Sequence, residues 1–115
     1  MASFVRGSVV IVQLPHVGGA EKAGTRPCVV VQNDHGNSNT SWPLTIVVPV
    51  TTRPPKYPLD VPVKSPDGGL IQDSTADCSQ ILTIDKSKIT KTVGKISTDT
   101  MVAIEKAIKI TLDLS

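Results

Sequence analysis

Leu44-Thr45-Ile46-Val47-Val48-Pro49-Val50, followed at once by Thr51-Thr52, is the stretch that decides the fold class. Its Ile, Val and Thr side chains branch at Cβ, which crowds a helix and suits a pleated, half-buried surface. The run is almost continuous in apolar residues, so the strand it predicts is covered on both faces. Two upstream runs read the same way, Cys28–Gln32 (CVVVQ) and Ser8–Leu14 (SVVIVQL). Downstream, Asp60–Lys64 (DVPVK) reads as a short edge strand, because Pro62 has no N–H to give to a central ladder. Ser74–Leu82 and Lys91–Ile96 read as two further strands.

The segments between these runs are turn material. His16–Thr25 carries Gly18, Gly19 and Gly24; Asn33–Pro43 reads NDHGNSNTSWP; Arg53–Pro58 reads RPPKYP; Ser65–Gly69 reads SPDGG. Five or six short strands at this spacing predict a small β-barrel. After Ser97 the period changes. Ser97 is a helix N-cap, Asp99 falls in the first turn, and Met101, Ile104, Ile108 and Leu112 form one stripe with Ala107 beside it. Glu105 and Lys109 make an i,i+4 pair on another face. One amphipathic helix of about four turns packed on the barrel is expected.

The 115 residues are one domain's worth of chain, so a single domain over 1–115 is expected. Aromatics are 3% of the chain (Phe4, Trp42 and Tyr57), so the core is aliphatic and a broad base-stacking platform is excluded. A net charge of +2 is too mild to argue nucleic-acid binding from bulk charge. The distribution says more: residues 1–57 hold five basic and two acidic side chains, residues 58–115 seven basic and eight acidic. Cys28 and Cys78 stand alone, with no CxxC, and read as buried free thiols of a reducing compartment. No apolar run approaches the ~20 residues that span a bilayer. The N-terminus lacks the apolar core of a signal peptide.

No GxSxG, Walker loop, HExxH or dinucleotide fingerprint is present. His16 and His35 fall in loops, where histidine is more often just solvated than part of a two-histidine nuclease. Asp67, Asp73, Asp77 and Asp85 are scattered, with no metal-ligand spacing, so no metal site and no cofactor are expected. Trp42 reads as a hydrophobic anchor or a stacking residue. Three segments stand out: Gly18–Pro27 (GGAEKAGTRP), Val47–Thr52 (VVPVTT) with RPPKYP, and Gln80–Lys86 (QILTIDK). Arg26 stands where a strand begins, and its planar fork matches phosphate oxygens; Thr51 and Thr52 place hydroxyls at the far end of another strand.

These segments, in their order and spacing, resemble the MazF/PemK family of type II toxin–antitoxin endoribonucleases. The resemblance runs from Arg6-Gly7-Ser8-Val9-Val10 through Thr25-Arg26-Pro27, Gln32-Asn33-Asp34, Val48-Pro49-Val50-Thr51-Thr52 and Lys56-Tyr57-Pro58. It continues through Asp73-Ser74, Gln80, Thr83-Ile84-Asp85-Lys86 and Val93-Gly94-Lys95-Ile96-Ser97. It implies a small SH3-like β-barrel with a C-terminal helix, and a cytoplasmic homodimer whose groove binds single-stranded RNA. Cutting is implied to need no metal ion, and a cognate antitoxin to hold the toxin in check. Arg26 and Thr51 take the family's catalytic positions; Gly19, Glu21, Thr52 and Gln80 take RNA-binding ones. The first loop departs from the family's GSEQ, reading Gly18-Gly19-Ala20-Glu21-Lys22. Asp77 and Ser79 stand where a plasmid-type branch has a catalytic Arg and Asp, so that branch's set is not reproduced. Two alternatives on the same fold are a gyrase poison and a catalytically inactive RNA-binding module; retention of Arg26 and Thr51 favours RNA cleavage.

Overall fold

A computed structural model describes residues 3–14 and 24–115. In chain order it contains β1 (Ser8–Leu14), β2 (Gly24–Val30), a short helix α1 (Asp34–Ser38), β3 (Leu44–Thr51), β4 (Asp60–Val63), β5 (Ser74–Asp77), β6 (Leu82–Asp85), β7 (Ile89–Lys95) and the C-terminal helix α2 (Thr98–Thr111). All strand pairs among the described residues are antiparallel, in the order β4-β5-β3-β2-β1-β7, with β6 also on β3.

The apolar runs bury both of their faces. Val9, Val29, Val48 and Val50 join one core cluster with Val61, Val63, Ala76, Ile96, Ile104 and Ala107. Their neighbours Val10, Val12, Cys28, Val30 and Val47 join a second cluster with Ile89. Successive side chains of a strand point to opposite faces, so one Val-rich run feeds two cores. Helix α2 covers the first cluster, with Ile104 and Ala107 buried and Met101, Ala103 and Ile108 packed beside them. Phe4, Leu14, Leu82 and Ile84 pack against the second.

The fold class is as expected: mainly β, with one C-terminal helix packed on the sheet. Seven strands appear among the described residues where five or six were expected, and their ladder runs from β4 to β7 without closing on itself. The open side is filled by packing. The turn Asp67–Gly69 lies so close to β7 that a Cβ on Gly94 would stand 2.6 Å from the Gly68 carbonyl oxygen. The Asp67 carboxylate ties the same turn to α2, accepting hydrogen bonds from the Ser97 backbone N–H (2.7 Å) and the Thr100 hydroxyl (2.6 Å).

Four local expectations change. Ser74–Leu82 is two strands, not one. Between the pairs Val50↔Ala76 and Val47↔Leu82, three steps along β3 match six along the other chain. The surplus forms a turn in which the Gln80 N–H donates to the Asp77 carbonyl (3.2 Å). Leu112 is 53% exposed rather than part of the helix's buried stripe, because α2 ends at Thr111, beyond the core. Glu105 reaches across to Arg6 at 2.8 Å instead of pairing with Lys109. The loop Asn33–Pro43 contains α1, too short for a periodic signal. Its N-cap is Asn33, and the buried Lys86 ammonium donates to the carbonyls of Gly36 (2.7 Å) and Asn39 (2.9 Å) at its far end. Asp60–Val63 is an edge strand, as Pro62 required.

Candidate functional site

The site is built where β2 and β3 diverge. Their register pairs Val30 with Val47, Val29 with Val48 and Cys28 with Pro49. Extended by two residues, it sets Arg26 opposite Thr51. Arg26, Cys28 and Val30 share a face by alternation, as do Val47, Pro49 and Thr51. Cys28, Val30 and Val47 lie in the second core, which anchors the strands behind the two polar residues. Arg26 and Thr51 line a small cleft of about 140 Å³ with Pro49, Arg53, Asp77 and Gln80. It is the bulge-like surplus between β5 and β6 that brings the last two residues over β3. Such irregularities recur beside active sites because they re-aim side chains.

Thr51 ends β3 and its side chain is oriented from behind. The Arg53 N–H donates to Thr51 Oγ1 at 3.3 Å, which leaves the hydroxyl proton to be given elsewhere. The Arg53 carbonyl accepts from the fully buried Thr75 hydroxyl at 2.6 Å. The Arg53 guanidinium grips Asp60 with both Nη atoms, at 2.7 and 3.1 Å, and stands 3.9 Å from Asp77. Asp60 also accepts the backbone N–H groups of Lys56 and Tyr57, both at 2.8 Å. Its side chain is 1% exposed. The hydrogen bonds from Arg53 hold the Asp60 carboxyl far below the usual carboxylate range, despite its burial. The RPPKYP loop is thereby folded onto one carboxylate, with the Arg53 and Lys56 cations 5.6 and 5.4 Å from the Tyr57 ring centre.

Asp77 and Gln80 form the other wall. Asp77 accepts from the Ser79 hydroxyl (2.6 Å) and from Gln80 Nε2 (2.8 Å). Behind Arg26, burial pushes the Cys28 thiol up to about 12; Cys78 is raised to about 12 for the same reason, so both free thiols are inert.

Of the residues singled out from sequence, Arg26, Thr51 and Gln80 come together. Thr52 does not join them: it lies past the end of β3 and lines a separate depression with Pro54, Pro62 and Lys64. His16, Gly19 and Glu21 lie outside the described residues. His35 is exposed on α1, away from the cleft. Trp42 is half-exposed and its indole N–H donates to the Gln32 side chain at 3.4 Å. Among the described residues no three His, Cys, Asp or Glu side chains gather as metal ligands. From the sequence Arg53 and Asp60 take no site role, and Asp77 enters only as a carboxylate weighed for metal binding and as a departure from the plasmid-type branch. Only the Arg and Asp bracketing RPPKYP hinted at a pinned loop.

Residues 5–112 match the family described as PemK-like, MazF-like toxin of type II toxin–antitoxin system. The chain belongs to this family. Over 109 residues, 95% of this chain and 94% of the relative, the MazF-like chain is 31% identical to endoribonuclease EndoA of Bacillus subtilis (strain 168). Solved structures agree on the fold. A MazE–MazF complex from Deinococcus radiodurans gives a TM-score of 0.80 at 20% identity, covering 100% of both chains. An endoribonuclease in complex with its cognate antitoxin, from a mycobacterial species, gives 0.77 at 23% identity, covering 100% of this chain and 98% of that one. Among the described residues no helix of this MazF-like chain is long and apolar enough to cross a membrane.

Proposed function

We propose that this MazF-like endoribonuclease toxin cuts single-stranded RNA in the cleft between Arg26 and Thr51, using the RNA's own 2′-OH and no metal ion. The observation that carries the reading is that Arg26, Thr51 and Gln80 line one small polar cleft, just beyond the last paired residues of β2 and β3. The 2′-oxygen forms a bond to phosphorus and the bond from phosphorus to the 5′-oxygen breaks. A 2′,3′-cyclic phosphate and a 5′-OH result; the 2′-OH loses a proton and the leaving oxygen gains one. Charge grows on the non-bridging oxygens in the transition state, where the Arg26 fork stabilises it. Thr51 donates a hydrogen bond from its hydroxyl to the same phosphate and orients it, its oxygen already held by the Arg53 N–H. Asp77, the carboxylate that lines this cleft, is engaged with Ser79 and Gln80, and the buried Asp60 with Arg53.

Gly19, Glu21, Thr52 and Gln80 contact the flanking nucleotides, with splayed bases read on their Watson–Crick edges. The span 1–115 acts as one toxin domain, in the cytoplasm, as a homodimer whose groove takes RNA and antitoxin in competition. Apolar side chains left exposed at the end of α2, namely Ile110, Leu112 and Leu114, supply the surface for the second copy. The test is cleavage of a single-stranded RNA in excess EDTA, with the new ends mapped. Cutting that persists and leaves cyclic phosphate ends is expected. Loss of cutting on chelation, restored by Mg²⁺, overturns the mechanism.

A further inference from the structure

The Asp77–Gln80 pair has a property that neither side chain has alone. Gln80 is an exposed amide on the wall of the cleft, beside Arg26 and Thr51. Its Nε2 donates to Asp77 Oδ2 at 2.8 Å, and among the described residues Oε1 makes no hydrogen bond. A free glutamine presents either end of its amide, since oxygen and nitrogen exchange places by rotation about the last side-chain bond. This one is not free. An ionised carboxylate only accepts hydrogen bonds, so turning the amide round would set Oε1 against a second acceptor.

Asp77 is itself held in place. Its Oδ1 accepts from the Ser79 hydroxyl at 2.6 Å and the Ser79 N–H at 3.2 Å. Its Oδ2 stands 3.9 Å from Arg53 Nη2, and its side chain is 15% exposed. The backbone turn that closes on the Asp77 carbonyl carries Gln80 with it. The orientation of the Gln80 amide is therefore fixed by a neighbour whose carboxylate oxygens are both engaged with protein donors.

The consequence is base choice. Adenine and cytosine carry an exocyclic amine, a donor, on the Watson–Crick edge; guanine and uracil carry a carbonyl, an acceptor, at the corresponding place. Where it meets that exocyclic position, and not the neighbouring ring N–H of guanine or uracil, an amide locked with its oxygen outward accepts from the amine and repels the carbonyl. Resting on the RNA-cleaving reading above, we propose that Asp77 is a positioning residue that, through Gln80, makes the toxin prefer an amino base (A or C) over a keto base (G or U) at one nucleotide of its cleavage motif.

The test uses the full chain and a set of single-stranded RNAs that differ at one position at a time around the cut. It reads the ratio of initial rates for A or C against G or U at each position. That ratio is internal to each variant, so it does not depend on the fraction of protein folded. In the unaltered protein one position should favour amino bases by on the order of tenfold. Gln80→Ala should bring that position near parity. Asp77→Asn should do so as well, because a carboxamide can donate as well as accept and the Gln80 amide can then face either way. Asp77→Glu keeps an acceptor-only partner and should keep the direction of the preference. The double variant Asp77→Asn/Gln80→Ala should lose nothing beyond either single one. Asp99→Asn, which removes a negative charge from the first turn of α2, should leave the ratio as it is. A position controlled by Gln80 but indifferent to Asp77→Asn overturns this proposal alone, as does a preference for keto bases there. A protein that leaves every RNA uncut removes the RNA-cleaving reading and this proposal with it.

Discussion

Arg26 and Thr51 are the residues proposed to carry the chemistry, and each can be changed with little effect on the core. Arg26 is exposed at the outer end of β2, so Arg26→Ala removes a cation and a fork without opening a cavity. Arg26→Lys keeps the charge and loses the bidentate geometry. Thr51→Val keeps the β-branched shape and deletes the hydroxyl. Initial rates on a single-stranded RNA should fall on the order of 10²–10³ for Arg26→Ala, the cost of one electrostatic donor, and substantially for Thr51→Val. Thr52→Val should cost far less, because Thr52 lies outside the cleft. A folded Arg26→Ala protein that cuts at the normal rate would place the chemistry elsewhere. Neither residue is conspicuous locally: Arg-Pro and Thr-Thr are ordinary dipeptides, and the roles proposed for them rest on the pairing of β2 with β3 that brings both to one cleft.

Among the elements, the loop between β3 and β4 depends on a single carboxylate. Asp60→Asn would weaken the grip on Arg53 and on the N–H groups of Lys56 and Tyr57, and should destabilise the fold by roughly 1–3 kcal/mol at neutral pH. The sign of the pH dependence follows from the direction of its shift. The Asp60 carboxyl is held down in the folded state by Arg53, so its stabilisation is full above the ordinary carboxylate range, about pH 4. It is lost as pH falls from there toward the folded value, since the unfolded chain takes up the proton first. Asp67 adds to the same trend: burial pushes its carboxyl up, but hydrogen bonds from Thr100 and Ser97 more than reverse this. Urea unfolding of the wild type and Asp60→Asn at pH 7 and pH 3 should show the gap between them narrowing in acid. A second element-scale contact joins β7 to the Asp67–Gly69 turn. A methyl group on Gly94 would meet three backbone atoms of Gly68 and Gly69 at 2.6 to 3.0 Å, none of which can swing aside like a side chain. Gly94→Ala should cost about 1–3 kcal/mol, read as a lower thermal midpoint; an unchanged midpoint would mean that the turn slides freely on β7.

At the scale of the whole molecule, the exposed aliphatic side chains are unevenly spread. Ile110, Leu112 and Leu114 are 68%, 53% and 58% exposed at one end of α2. A groove of about 440 Å³ beside them is lined by Val31, Ile46, Ile81, Ile108 and Leu112 together with the charged Arg6, Glu105 and Lys109. This is the surface that the proposed homodimer would cover. Leu112→Glu places a charge there at little cost to the core, because Leu112 is 53% exposed and belongs to neither core cluster. Sedimentation at micromolar concentration should show the unaltered chain as a dimer and Leu112→Glu shifted toward monomer. An unaltered chain that sediments as an active monomer would contradict the dimer, and an unshifted variant would move its interface to another face.

The sequence by itself determined the kinds of element and where most of them lie. Val-rich runs such as Cys28–Gln32 and Leu44–Val50 are β-branched and nearly continuous in apolar residues, the mark of a strand covered on both faces, and Ser97 with the stripe after it carries a helix start and a helical period. These are local signals, written in side-chain shape and spacing. The order of its motifs also pointed to the family. Tertiary structure decided what the elements do to one another. It set Arg26 opposite Thr51 and broke Ser74–Leu82 so that Asp77 and Gln80 overhang β3. It also buried Lys86 against the end of α1 and took Glu105 away from Lys109 to Arg6. The reason is one of range. Propensity acts over a few residues, whereas register and cross-chain hydrogen bonds are fixed by burying two cores at once, and a polar side chain takes whichever partner that packing brings within reach.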